Sequence, residues 1–204
     1  DHFARLVSDI LQGHHGETGE FGIVSANYDT ELFGHWWFEG IHWLEEVLRR
    51  LAVSESVELT TAWQYVRSHP PEMVIHLPEG SWGAGGGHFT WDNADTHWMW
   101  PIIHAAEARM HAAVSARPAA SGAERRVLDQ AARELLLLQS SDWPFLVSTG
   151  QAREYAVERF RGHLDRFDEL LSGVEAGAPD AALAERLWER DKVFPEIDYR
   201  WFQS

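Results

Sequence analysis

Apolar residues recur every three or four positions along most of the chain, a spacing typical of amphipathic helices. This spacing predicts helices over residues 2–11, 36–51, 60–66, 95–116, 123–139, 152–171 and 181–189. Two short apolar runs, 21–28 and 73–77, predict strands, the first of them buried. Residues 13–20 contain three glycines and predict a loop. The chain is therefore expected to be mainly α with a small β part.

The stretch 28–40 follows directly on the first predicted strand and is dense in polar and aromatic side chains. Asp29 would lie at the carboxyl end of that strand, where loops of α/β folds converge on a crevice. Glu31, His35 and the pair Trp36-Trp37 follow it closely. One interpretation is a site for chemistry. The other is that Asp29 or Thr30 caps the next helix and that the tryptophan pair belongs to the core.

Residues 78–93 contain five glycines and predict a loop. A phosphate-binding loop is excluded because no Gly-Lys-Ser or Gly-Lys-Thr sequence closes it. The favoured interpretation is a mobile loop that carries Trp82 and Trp91 over a substrate groove. The alternative is that both indole rings fill gaps between helices.

Two further features have polar side chains in unusual places. Four consecutive leucines end at Leu138, and Asp142 comes four positions later. A carboxylate so close to an apolar run either caps a helix or is directed at a ligand. His97, His104 and His111 recur every seven residues on one predicted helix. Seven helical residues rise about 10 Å, so neighbouring members of this set are too far apart to share one metal ion. Buried, hydrogen-bonded histidines are the favoured interpretation, and no metal site is assigned.

The composition narrows the choice of ligand. The formal net charge of −15 would repel a nucleic-acid backbone, whereas a neutral polymer meets no such barrier. The 11 tryptophans offer flat apolar faces suited to stacking on sugar rings. No cysteine is present, which excludes disulfides and thiolate metal sites and fits a reducing, cytoplasmic environment. The apolar stretches are too short to span a bilayer, so neither a membrane nor a nucleic acid is expected as a partner.

Four stretches carry a resemblance to a known family. They are Asp29-Thr-Glu-Leu-Phe-Gly-His-Trp-Trp-Phe-Glu-Gly40, Leu77-Pro-Glu-Gly-Ser-Trp-Gly83, Ser140-Ser-Asp-Trp-Pro-Phe145 and Phe194-Pro-Glu-Ile-Asp-Tyr-Arg-Trp-Phe202. In this order they resemble the motifs of glycoside hydrolase family 57, and within it those of the α-1,4-glucan branching enzymes. Several ordered motifs are more specific than any single one.

The resemblance implies an architecture. Residues 1–40 would be the end of an incomplete (β/α)7 barrel, with its last helix, last strand and catalytic aspartate, and residues 41–204 a C-terminal helical domain with a substrate-facing loop at 78–93. The chain starts abruptly, within a predicted helix, so we expect it to be the C-terminal part of a larger enzyme. The family's nucleophilic glutamate would then lie in the remainder of the barrel, outside this chain.

The resemblance also implies roles. Asp29 would be the general acid/base, an acid that has to hold its proton near neutral pH through partial burial or a like-charged neighbour. Glu31 and His35 would orient Asp29 or bind sugar hydroxyls, with Trp36 as an apolar wall. The glucan path would be lined by Trp82 and Trp91, and Asp142 would bind the sugar at the cleavage point. This chemistry requires no metal and no organic cofactor.

The expected function is therefore retaining transfer that cleaves α-1,4 links and makes α-1,6 branches in a glycogen-like glucan. A 4-α-glucanotransferase or an amylase-type hydrolase of the same family is the nearest alternative. If the chain exists alone, it would be a non-catalytic α-glucan-binding module, because it holds one catalytic carboxylate of two. A helical domain without a ligand is the remaining alternative.

Overall fold

A computed structural model describes residues 1–203, and in this part of the chain the regular secondary structure is helical. The α-helices are α1 (His2–Thr18), α2 (Gly40–Ala52), α3 (Ala62–Ser68), α4 (Met99–Ala116), α5 (Gly122–Leu138), α6 (Asp142–Thr149), α7 (Arg153–Glu175) and α8 (Ala181–Arg190). Short 3₁₀ helices span Thr30–Phe33, Ala84–Gly86 and Tyr199–Phe202. Among residues 1–203, no helix combines the length and the apolar character needed to cross a bilayer.

The chain divides into two compact units at His76 and Leu77. The first unit is built on α1 and α2, which bury a small core against each other. That core consists of Ala4, Val7, Val47 and Leu51, with Phe3, Leu11, Val24, Trp43 and Val57 packed around it. The helix α3 follows, and its first turn is held by a capping box in which the hydroxyl of Thr61 accepts from the Gln64 N–H. The helix predicted at 60–66 therefore forms, two residues further along the chain.

The second unit is organised around α5, which packs against α7 and also contacts α4 and α8. Its apolar stripe is fully buried over Val127, Leu128, Ala131, Ala132, Leu135 and Leu138. The opposing stripe of α7 contributes Phe160, Phe167, Leu170 and Leu171, also fully or almost fully buried. These stripes confirm the helical periodicity predicted for both segments. This unit has the larger core.

The C-terminal tail is fixed to this core through Tyr199, which is 1% exposed. Its hydroxyl donates to the carbonyl of Arg117 at 2.7 Å and accepts from the N–H of Ala120 at 3.1 Å. Its own N–H donates to the carboxylate of Asp129 on α5 at 2.9 Å. The tail thus closes the turn between α4 and α5.

Neither predicted strand forms within residues 1–203. Residues 21–28 and 73–77 have no regular structure, and the side chains of Phe21 and Val74 are exposed. The expected fold class, mainly α with a small β part that ends an incomplete (β/α)7 barrel, is therefore wrong for this chain, whose described part is all helical. An extended segment becomes a strand only when a neighbouring segment pairs with its backbone, and an apolar run cannot specify that neighbour.

Several helix boundaries also differ from the prediction. The helix α1 continues through Gly13 and Gly16, where a loop was expected, and ends at Gly19 in the left-handed conformation with φ 76°. Glycine lowers helix propensity by only about 1 kcal/mol, so two isolated glycines do not by themselves end a helix. The predicted helices at 36–51 and 95–116 begin later than expected, at Gly40 and Met99.

Candidate functional site

Asp29 stands immediately before the 3₁₀ helix Thr30–Phe33, in the first unit. Its backbone carbonyl accepts from the Leu32 N–H at 3.2 Å, but its carboxylate makes no capping hydrogen bond. The side chain is exposed. The capping role considered for Asp29 is therefore not what holds this turn, and the carboxylate is free to meet a ligand or another part of a larger protein.

The neighbours of Asp29 surround the same short turn. The carbonyl of Glu31 accepts from the N–H groups of Gly34 at 2.8 Å and His35 at 3.2 Å, which closes the turn. The carboxylate of Glu31 and the imidazole of His35 remain exposed. The imidazole lies against the indole of Trp36, with 5.6 Å between ring centroids. The first unit thus presents these polar groups and one indole around a single turn.

The paired tryptophans point in different directions. Trp37 packs in an aromatic cluster with Tyr28, Phe33 and Trp43, and its ring centroid lies 4.9 Å from that of Trp43. Trp36 is 73% exposed. The core interpretation is therefore correct for Trp37, whereas Trp36 offers its indole to a ligand or a partner surface.

The loop 78–93 belongs to the second unit and is closed by its own hydrogen bonds. The N–H of Ser81 donates to the carbonyl of Gly86 at 2.9 Å, and the Ser81 hydroxyl donates to the carbonyl of Gly87. The N–H of Gly83 donates back to that hydroxyl oxygen at 3.0 Å. His88 and Glu79 pair across the base of the loop at 3.0 Å. The glycine-rich segment therefore has a defined shape.

The tryptophans predicted to line a groove are in contact with each other. The indole rings of Trp82 and Trp91 meet edge to face, with centroids 4.9 Å apart and planes at 86°. Trp82 also touches Phe145 of α6, at 5.7 Å between centroids. A Cβ atom on Gly83 would lie 2.8 Å from both Thr90 Oγ1 and Trp91 Cζ3, so only glycine allows this approach. Trp82 is 77% exposed, which leaves much of its surface free to stack on a sugar ring.

Asp142 opens α6 on the same side of the second unit as this aromatic group. It precedes Phe145 by three residues, and residues so spaced share a helix face. Its exposed carboxylate accepts from the Ser140 hydroxyl at 3.2 Å and does not cap the helix, whose N-cap is Ser141. A carboxylate beside an exposed aromatic group can hydrogen-bond sugar hydroxyls while the ring covers an apolar sugar face.

The histidines predicted to be buried are not. His97, His104 and His111 are all exposed, and His97 pairs with Asp92 at 2.8 Å. The buried histidine is His163 on α7, which was not singled out from the sequence. It occupies the apolar stripe between Phe160 and Phe167, so a polar residue at a stripe position was the signal that could have found it.

His163 belongs to a buried polar network with Glu134 of α5. The Nδ1 of His163 lies 2.8 Å from Glu134 Oε2, and Arg166 Nε donates to the same oxygen at 3.0 Å. The nitrogens of Arg159 and Arg166 approach the two ring nitrogens at 3.1 and 2.7 Å. A neutral imidazole has one acceptor nitrogen and a guanidinium only donates, so the carboxylate beside Nδ1 selects Nε2 as the acceptor, from Arg159. Gln130 donates to the other oxygen of Glu134 at 2.9 Å.

The network satisfies the charge of Glu134 without a metal. Burial by itself raises the pKa of Glu134, but the hydrogen bond from His163 and the charge of Arg166 outweigh it, so this pKa lies below its ordinary value. Glu134, His163 and Asp191 bring ligand atoms within 4.8 Å of one another. Arg166 holds Glu134 and Arg159 lies 3.7 Å from Asp191, so two guanidinium charges oppose a cation there. The residues fit an ion-pair network better than a metal site.

Comparison with known proteins connects this arrangement to one family. The family model of the 1,4-alpha-glucan branching enzyme C-terminal region matches residues 102–202. A 1,4-alpha-glucan branching enzyme of Thermococcus kodakarensis is 48% identical over 201 residues, which is 96% of this chain and 30% of that protein. A probable 1,4-alpha-glucan branching enzyme of Mycobacterium tuberculosis is 34% identical over 206 residues, covering 97% of this chain and 39% of that protein.

Solved structures agree in fold. A crystal structure of a family 57 branching enzyme from Thermococcus kodakaraensis, in complex with glucose, superimposes with a TM-score of 0.73 at 45% identity over all of this chain and 38% of that one. An α-amylase from Thermotoga maritima superimposes with a TM-score of 0.65 at 28% identity over 99% of this chain and 37% of that one. The chain spans roughly a third of the length of the relatives it matches.

Proposed function

The chain belongs to glycoside hydrolase family 57, as the C-terminal part of one of its branching enzymes, and we propose that it serves a 1,4-α-glucan branching reaction. In that reaction an α-1,4 link is cleaved with retention and the released segment is joined to a 6-hydroxyl as an α-1,6 branch. The observation that carries the proposal is the 48% identity to a named branching enzyme across almost the whole chain.

Asp29 is the proposed general acid/base. Retaining transfer uses two carboxyl groups about 5 Å apart, one as nucleophile and one that protonates the leaving oxygen and then deprotonates the acceptor. The carboxylate of Asp29 makes no capping bond and is exposed in this chain, so it is available for the second role; the like charge that would hold its proton near neutral pH is proposed to come from the nucleophile. The nucleophile is proposed to come from the remainder of the enzyme. Glu31, His35 and Trp36 surround the same turn and are proposed to orient Asp29 or to bind sugar.

The aromatic group of the second unit is the proposed glucan contact. Trp82 exposes most of its indole and is supported from behind by Trp91 and Phe145. A rigidly supported aromatic face loses little freedom on binding, which favours stacking against a flat sugar ring. Asp142 is proposed to bind hydroxyls of the sugar at the cleavage point. The loop 78–93 is proposed to face the substrate and to favour transfer over hydrolysis by excluding water.

Exposed apolar side chains in the first unit support a partner surface for the rest of the enzyme. Phe38 is 92% exposed, Val53 82% and Val74 101%. Large exposed apolar groups concentrated in one unit are typical of protein–protein interfaces. The proposed partners are thus the remainder of the catalytic part and a glycogen-like glucan, in the cytoplasm.

Linkage analysis of the products tests the function. The complete enzyme is incubated with amylose, and the products are treated with a debranching enzyme and examined by NMR for α-1,6 protons. New α-1,6 links support branching. Products with only α-1,4 links would support the 4-α-glucanotransferase or amylase alternative. The similarity to the Thermotoga maritima α-amylase is the reason to test for this alternative. Glucan binding without turnover would support a non-catalytic binding module.

A further inference from the structure

Asn93 ends the glycine-rich loop and uses its side chain in three hydrogen bonds. Its Nδ2 donates to the carbonyl of Phe89 at 2.8 Å and to the hydroxyl of Ser148 at 2.7 Å. Its Oδ1 accepts from the N–H of Asp95 at 2.8 Å. The first bond fixes the end of the loop, the third fixes the turn before α4, and the second reaches across 55 residues of sequence to α6.

The backbone of Asn93 is held as firmly as its side chain. Its N–H donates to the hydroxyl of Thr96 at 3.0 Å, and Thr96 is fully buried. Its carbonyl accepts from the N–H groups of Thr96 at 3.1 Å and His97 at 2.8 Å. The backbone that carries the Asn93 amide is therefore fixed. The bond from this amide to Ser148 holds the end of the loop at a fixed distance from α6.

The same two elements also carry the proposed glucan contacts. Trp82 and Trp91 lie on the loop, and Asp142 and Phe145 lie on α6. Asn93 follows Trp91 by two residues, and Ser148 follows Phe145 by three, so it lies one turn along α6 on the same face. The aromatic contact between Trp82 and Phe145 and the hydrogen bond between Asn93 and Ser148 thus join the loop to the helix at two points.

We infer that Asn93 and Ser148 are positioning residues that hold the loop with Trp82 and Trp91 against α6 and thereby set the affinity of the enzyme for its glucan. The inference rests on the proposed function of these aromatic residues. Neither positioning residue is assigned a contact with sugar. Without their bond, the loop keeps its internal closure but samples positions in which Trp82 and Asp142 no longer meet the same glucan chain.

Ser148→Ala in the complete enzyme tests this inference. It removes the acceptor of the Asn93 amide and leaves the bonds of Asn93 to Phe89 and Asp95 in place. The expected result is a rise in KM for amylose of about threefold to tenfold, the effect of one lost neutral hydrogen bond, while kcat stays within about twofold. Ser148→Thr keeps the hydroxyl and is expected to restore KM.

Thr149→Ala is the matched control. Thr149 is the next residue on α6, and its hydroxyl donates to the carbonyl of Phe145 within the same helix at 3.0 Å. It is expected to leave KM unchanged. Both alanine variants are expected to unfold within about 2 °C of the parent, because each loses a bond outside the core.

Three results would overturn the inference. These are an unchanged KM for Ser148→Ala in an enzyme that still branches, an equal rise for Thr149→Ala, or a rise that Ser148→Thr does not reverse. If the parent makes no α-1,6 links, the proposed branching function fails separately. The inference is then decided by calorimetric titration with maltoheptaose: weaker binding by Ser148→Ala alone supports it, and equal binding, or none by the parent, overturns it.

Discussion

The indole rings of Trp82 and Trp91 meet edge to face, with ring centroids 4.9 Å apart and planes at 86°. Gly83 makes this contact possible, because any side chain there would collide with the Trp91 ring. Trp82 is mostly exposed and Trp91 is partly buried. The loop therefore uses one indole as support and offers the other to the solvent, an arrangement suited to a sugar-stacking platform.

Gly83→Ala is expected to weaken glucan binding, although it adds only one methyl group. The added methyl group would lie 2.8 Å from both Thr90 Oγ1 and Trp91 Cζ3, so the loop has to shift and Trp82 moves with it. The measurement is KM for amylose in the complete enzyme, with an expected rise of several-fold. Gly87→Ala is the control, since a Cβ there meets nothing within 4 Å and its φ of −99° suits any residue. Equal effects at both positions would contradict the prediction.

Trp82→Ala is expected to weaken binding of maltooligosaccharides by about threefold to tenfold, the usual contribution of one aromatic stacking contact. The fold should be retained, because the side chain is 77% exposed. Isothermal titration calorimetry with maltoheptaose measures the change. Trp201→Ala serves as the control, since Trp201 is also largely exposed, at 66%, but lies in the C-terminal tail. Unaltered binding by Trp82→Ala would argue against the platform.

Asp29→Asn in the complete enzyme is expected to lower the transfer rate by about 10²- to 10⁴-fold, the contribution of a general acid/base. The carboxylate is exposed and makes no capping bond, so the thermal unfolding midpoint should not change. Initial rates on amylose and a thermal melt give the two numbers. Asp9→Asn, an exposed carboxylate on α1, should leave the rate unaffected. Retention of most activity by Asp29→Asn would remove Asp29 from the proposed mechanism.

Glu134→Ala is expected to destabilise the second unit by about 3–5 kcal/mol, because it leaves the charge of Arg166 and the buried donors of His163 and Gln130 without their shared acceptor. Glu134 and His163 are both fully buried. Glu134→Gln keeps one acceptor oxygen and should cost less. Glu45→Ala removes an exposed pair with Arg49 and is expected to have no measurable effect. Differential scanning calorimetry distinguishes the three variants, and a harmless Glu134→Ala would show that the network does not support the fold.

Acid is expected to loosen the C-terminal tail through Asp198. Hydrogen bonds from Arg200, with the charge of Arg125 nearby, lower the pKa of Asp198 from 3.8 to about 2. The folded state therefore binds fewer protons than the unfolded state between these values, so the contribution of Asp198 is present above pH 4 and is lost as the pH falls toward 2. Glu134, whose pKa is also lowered, acts in the same direction.

Thermal melts between pH 5 and 2 measure this effect. Asp198→Asn can still accept from the Arg200 N–H, which Asp198 now does at 2.9 Å, but it loses the ion pair. Its melting temperature should fall less steeply with acid than that of the parent. Asp180→Asn is the control, because Asp180 caps α8 by accepting from the Leu183 N–H at 2.8 Å. Parallel curves for the parent and Asp198→Asn would contradict the assignment.

Much of the helical framework follows from the sequence. The period of apolar residues located every long helix. The roles of neighbouring side chains did not follow as easily. Trp36 and Trp37 look equivalent in sequence, yet one is exposed and the other packs on Trp43. Which one turns inward depends on the 3₁₀ turn before them, which has no strong sequence signal.

The sequence by itself determined the helical periodicity, the glycine-rich loop and the family motifs, because these depend on residues close together along the chain. Tertiary structure decided what lies far apart in sequence. The contact of Trp82 with Phe145, the bond of Asn93 to Ser148 and the burial of Glu134 against His163 each join distant segments. The prediction of strands was wrong for the same reason. An apolar run such as 21–28 becomes a strand only when a second segment pairs with its backbone, and the residues of the run do not specify that second segment.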